Sequence, residues 1–123
     1  MNRLLKLTAI IEAATGLALI AAPTVIVRLL LAGEISGAGI PLGRVAGFGL
    51  LSLGIACWPA RTSPPFTLWA MLTYNTLATL YLLAIGIGGA WIGPLLWPAV
   101  ALHGALSFLL ARQWKSTARP ALP

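Results

Sequence analysis

Glu12 lies within the apolar run of residues 4–22, where an ionised carboxylate costs about 2.5–3.5 kcal/mol on membrane-insertion scales. A carboxyl so placed stays neutral or finds donors, and it can carry a proton or help to bind a ligand. At about 1.5 Å per residue it stands about 12 Å from the start of its run. Tyr74 and Asn75 in a later apolar run, and His103 in the last one, reach similar depths of about 12–14 Å if the chain crosses a bilayer four times. A phenol, an amide and an imidazole can each donate to a carboxyl, so the sequence permits one polar layer of Glu12, Tyr74, Asn75 and His103. Ser107, one turn from His103, and Thr8 and Thr15, on the face of Glu12, widen it. The same layer can be read as a proton-carrying or ligand-binding pocket, or as interhelical hydrogen bonding that holds a bundle together.

The other charged candidate is Arg44, in the run Pro-Leu-Gly-Arg-Val-Ala-Gly. It can snorkel to headgroups, pair with Glu34, or bind an anionic headgroup or substrate. Gly43 and Gly47 around it are spaced four apart, and Gly54 continues the stripe two turns on, a pattern that lets another helix approach closely. The chain has one Cys and one His. Cys57, beside Trp58, reads as a buried inert thiol. His103 reads first as a hydrogen-bonded core residue, because paired histidine ligation of a haem needs two copies. No grouping has metal-ligand spacing, and no cofactor is evident; a quinone or a haem has no specific residue pattern behind it.

The elements that must position these groups follow from composition. Of 123 residues, 59% are hydrophobic and only 8% charged, with a mean hydropathy of +0.95. A chain this short cannot hide so much apolar surface by folding alone in water, so the lipid bilayer is its expected solvent. Prolines and glycines divide it into four apolar spans at about residues 4–22, 42–58, 66–87 and 95–111. Residues 23–31, too short to cross and carrying Arg28, read as a short interfacial helix or a helical re-entry, and 33–41 as a loop. The polar tail from Arg112 onward is expected to fray. The expected fold class is therefore all-α, a polytopic four-transmembrane-helix bundle in a single membrane domain. The basic start of the chain also fits a cleavable signal peptide, but its apolar run approaches a full span and contains an acid.

The net charge of +6 would suggest nucleic acid on a soluble protein. Here Arg3, Lys6, Arg61, Arg112, Lys115 and Arg119 fall on one side of the four-span arrangement and only Arg28 and Arg44 on the other, a topology signal that excludes nucleic acid as the expected partner. By the positive-inside rule both termini are cytoplasmic. Trp58, Trp69 and Trp114 fall near the inner ends and Trp91 and Trp97 near the outer ends, at headgroup level.

The segment Gly43-Arg44-Val45-Ala46-Gly47, the Leu50-Leu51-Ser52-Leu53-Gly54 run after it, and the first span ending in Gly-Leu-Ala-Leu-Ile-Ala-Ala-Pro (residues 16–23) resemble the DoxX-like small membrane proteins of bacteria. The resemblance covers about the first half of the chain. It implies a four-helix inner-membrane bundle, often an accessory to a redox or quinone-linked system, and carries over no catalytic residue. In length, helix number and a carboxylate in the first helix, the chain is also similar to the small multidrug resistance exporters, whose carboxylate exchanges protons with cationic substrates. The aromatic and glycine pattern of their other helices is absent here.

Two functions are thus expected, with a quinone-linked redox subunit, drawn from the DoxX-like resemblance and the His103 and Tyr74 pair, as a third reading. One is a non-enzymatic accessory or structural subunit that forms a homo-oligomer or joins a larger membrane complex through its glycine-lined faces. The other is a proton-coupled small-molecule transporter using Glu12 as the exchange carboxylate, with Tyr74, Asn75 and His103 around it.

Overall fold

A computed structural model describes residues 2–59 and 64–118, and these form five α-helices and no strand. They are α1 (Asn2–Ala21), α2 (Pro23–Leu31), α3 (Gly39–Ala56), α4 (Pro65–Gly88) and α5 (Leu96–Ala118). Three of them, α1, α3 and α4, are long and apolar enough to cross a membrane. The last helix, α5, is as long as these but is diluted by His103, Arg112, Gln113 and Lys115, and falls outside that set.

Local chemistry sets the ends. A break in helical backbone at Ala22 (φ −143°, ψ 65°) separates α1 from α2, whose first residue is Pro23, a position where a missing amide donor costs nothing. The α2 helix closes on Ala32 in the left-handed region (φ 53°), with its amide donating to the Arg28 carbonyl. Pro64 and Pro65 start α4, and Gly89 (φ 75°) ends it.

Two boundaries differ from the sequence reading. The α3 helix begins at Gly39, not near residue 42, because Pro41 falls in its first turn, where no amide hydrogen bond is needed. The tail expected to fray from Arg112 is helical to Ala118. Trp114 packs on Trp69 of α4 with ring centroids 4.6 Å apart, and Ser116 and Thr117 hydroxyls donate back to the Gln113 carbonyl. Arg61 and Arg119, used in the charge count, lie outside the described residues.

Packing follows two antiparallel pairs. Gly43 faces Pro23, Gly47 faces Gly16 and Ile20, and Gly54 faces Ala9 and Ala13, so α3 descends as α1 rises. The second pair, α4 and α5, brings Trp69 to Trp114, Thr79 to Gly104 and Gly86 to Trp97. At one end the pairs are joined by a core of Leu5, Ala9, Cys57, Leu68, Met71 and Leu110. There the Cys57 thiol donates to the Thr67 carbonyl at 3.6 Å, tying the end of α3 to the start of α4.

At the other end α2 is fastened to the segment before α5. The amides of Gly93 and Leu95 donate to the Leu30 and Leu29 carbonyls at 3.1 and 2.9 Å, filling acceptors that the last turn of α2 would otherwise leave open. A Cβ on Gly93 would run into the backbone of Leu29 and Leu30. Gly93→Ala is therefore expected to cost about 1–3 kcal/mol, read as a lower unfolding midpoint in detergent. Gly88→Ala, whose Cβ meets open space, should leave that midpoint in place.

Candidate functional site

Glu12 occupies the middle of α1, about 14 Å from either end of the helix, and is 1% exposed. Neither carboxyl oxygen makes a hydrogen bond of ordinary geometry among the described residues, the Asn75 amide being the side-chain group that interacts with the carboxyl. Asn75 of α4, fully buried, lies beside it. The Asn75 amide donates to the Met71 carbonyl at 3.0 Å, and its own side-chain oxygen has no partner. The Ser107 hydroxyl is likewise buried without one. Unsatisfied buried polar atoms are costly in any apolar medium, so the Glu12–Asn75 cluster is held at a cost in stability.

The threonines do not relieve it. Thr8 donates to the Leu4 carbonyl and Thr15 to the Ile11 carbonyl, both at 2.8 Å, so these hydroxyl protons go to their own helix. Thr79 donates to the Asn75 carbonyl at 2.7 Å in the same manner.

Tyr74 precedes Asn75 in sequence, but a helix turns about 100° per residue, and the two side chains serve different surroundings. Tyr74 lines a cleft of about 730 Å³ between the two helix pairs, and His103 of α5 lines it too. Their rings meet edge to face with centroids 6.0 Å apart. The phenol remains within electrostatic range of Glu12, whereas Glu12 and Asn75 are not among the residues that line the cleft. The expected single layer is thus two groups, a buried carboxyl–amide pair and a cleft-facing phenol–imidazole pair, with Tyr74 between them.

The His103 Nδ1 lies 2.8 Å from the Ala99 carbonyl. A carbonyl accepts, so Nδ1 carries the proton, and in the neutral ring Nε2 is left as an acceptor. The rest of the cleft is largely aliphatic. Ile26 and Leu30 of α2 and Leu95 close one end, while Leu77 and Tyr81 form an exposed lip on α4. The role of α2 as a roof was missed in the sequence, although the spacing of Ile26, Val27 and Leu30 around Arg28 marks an apolar face on it.

Two further candidates take other places. Arg44 is exposed near the start of α3, and Glu34, offered above as its partner, instead accepts from Arg28 at 2.7 Å. Six residues separate Arg28 from Glu34, and the left-handed turn at Ala32 folds one back on the other, so the local partner wins. Gly43, Gly47 and Gly54 are spent inside the chain. A Cβ at Gly47 would lie 2.7 Å from the Gly16 carbonyl oxygen, and one at Gly54 2.7 Å from that of Ala9. They therefore cannot serve as faces for another copy, as the sequence reading had them. Gly16, their counterpart on α1, was not singled out, since nothing beside it in sequence marks it as a contact. Among the described residues no group of three His, Cys, Asp or Glu could hold a metal ion.

No protein-family model matches the chain, and no curated protein and no solved structure is detectably similar to it.

Proposed function

We propose that this chain is a small four-span integral membrane protein of a bacterial inner membrane, with α1, α3, α4 and α5 crossing and both termini cytoplasmic, acting as an accessory subunit of a homo-oligomer or larger complex. The membrane reading rests on an inverted distribution of side chains. Glu12, Asn75, Thr8 and Thr67 are buried, while Ile55, Phe66 and Ile87 are 67%, 68% and 75% exposed. Water-soluble domains do the reverse, and hydrocarbon is the solvent that makes this order favourable. Arg3, Lys6, Arg112 and Lys115 gather at the end that holds the core cluster, Lys6 lying over the Trp58 ring at 5.4 Å, which supports placing that end on the cytoplasmic side.

Association is supported by the outward face of α3. With Gly43, Gly47 and Gly54 turned to α1 and α2, the opposite face leaves Val45, Gly49, Ser52 and Ala56 exposed, small side chains that allow a partner helix close approach in lipid. Purification in mild detergent should give a particle heavier than one chain. Gly49→Leu should reduce it towards the monomer with the fold intact, and a wild type that is strictly monomeric and partner-free overturns the assignment. Reporter fusions at the two ends should both report the cytoplasm.

The Glu12 oxygens, which make no hydrogen bond of ordinary geometry among the described residues, favour a second reading, a proton-coupled carrier in which Glu12 is the exchange group and Tyr74 links it to the cleft. In the quinone-linked context implied by the DoxX-like resemblance, the oxidised form fits the cleft less well than the quinol, which carries hydroxyls. An oxidised quinone offers only acceptors, and of the two polar side chains that meet there, His103 also presents an acceptor.

A further inference from the structure

The cleft between the helix pairs is a built site. It is roofed at one end by Ile26, Val27 and Leu30 of α2, which the Gly93 and Leu95 amides hold in place. Its lip residues Leu77 and Tyr81 are 61% and 70% exposed, so on the membrane reading above, on which this inference rests, it opens sideways into lipid. A phospholipid chain could lie in such a groove, but its headgroup stays at the interface. Tyr74 and His103 lie about 10–14 Å from the nearer ends of their helices, deep in the hydrocarbon.

At that depth the cleft presents one donor and one acceptor side by side. The Tyr74 hydroxyl has no hydrogen-bond partner among the described residues, and His103, with its Nδ1 proton directed to the Ala99 carbonyl, offers the Nε2 lone pair. A lone hydroxyl group is the complement of this pair, because its proton can go to Nε2 while its oxygen accepts from the phenol. A carbonyl satisfies only the tyrosine, and an ammonium ion only the histidine. A charged head would also meet the full cost of burial at mid-membrane with no counter-charge lining the cleft. We infer that the cleft binds a neutral, lipid-soluble alcohol or phenol, its apolar body against α1, α2 and α4 and its hydroxyl between Tyr74 and His103.

The test compares two probes that differ by one oxygen, 4-nonylphenol and nonylbenzene, titrated against the intact protein in detergent and read by native mass spectrometry. One nonylphenol should bind per chain, with nonylbenzene weaker by about tenfold, the size of effect expected when a paired hydroxyl is removed. Tyr74→Phe, which keeps the ring and deletes only the hydroxyl, should weaken nonylphenol several-fold and leave nonylbenzene unchanged. His103→Phe should do the same, and Thr73→Val, which deletes an exposed hydroxyl of α4 outside the cleft, should do neither. Equal binding of the two probes would mean the cleft takes any hydrocarbon chain, and indifference of nonylphenol to Tyr74→Phe would remove the hydroxyl site; either result overturns the inference. Both readouts are independent of oligomeric state, so failure of the accessory-subunit assignment leaves this test standing.

Discussion

Glu12→Leu should make the protein more stable, by about 1–3 kcal/mol. The substitution removes two buried oxygens that no described group holds in a hydrogen bond of ordinary geometry and leaves apolar methyl groups one bond shorter in reach. Reversible unfolding in mixed detergent micelles would show the change as a higher midpoint. Glu12→Lys should do the opposite and leave little folded protein, because it sets a charge at the same buried point without a partner. A fall in stability for Glu12→Leu would mean that the carboxyl is already satisfied and that the cluster is a packing device. A rise identifies Glu12 as a residue retained at a cost in stability, the usual mark of function. In that event Glu12→Gln separates the two functional readings: it should abolish pH-dependent flux if the protein is a carrier and leave assembly unchanged if it is a subunit.

The largest loss is expected at the crossing of α1 and α3. In lipid no hydrophobic gradient drives helices together, so close backbone contact between small residues carries the association. A Cβ on Gly16 would lie 2.6 Å from both the Gly47 carbonyl oxygen and the Leu51 amide nitrogen. Backbone atoms cannot move aside as a flexible side chain can, and Gly16→Val should cost about 3 kcal/mol or more by overpacking. The variant should accumulate poorly in the membrane and unfold at markedly lower detergent denaturant. Gly104→Ala in α5 is the control, since a Cβ there meets only the Thr79 methyl at 3.5 Å, an ordinary contact; it should be neutral or gain a few tenths of a kcal/mol from helix propensity. Equal behaviour of the two variants would mean that α1 and α3 do not pack as described.

What the sequence alone determined is what depends on near neighbours along the chain. Pro23, Pro64 and Pro65 start helices, Gly89 stops one, and the apolar runs between them are long enough to be read as helices before any packing is known. The spacing of Gly43, Gly47 and Gly54 likewise marked one face of α3 as a contact surface, because helical period alone puts them on a common side. Period does not say which helix that face meets. Only the tertiary structure turned it onto α1 and so left Gly49, Ser52 and Ala56 outside.

The same division runs through the site. Depth along each apolar run, readable from residue counts, put Glu12, Tyr74, Asn75 and His103 at one level. Rotation about each helix axis, which no count supplies, sent Asn75 to the buried carboxyl and Tyr74 to the cleft, and the left-handed turn at Ala32 gave Glu34 to Arg28 and left Arg44 exposed. Helix ends are set by interactions within about four residues, whereas a site is set by the azimuth at which separate helices dock, and that is decided by contacts between residues far apart in the chain.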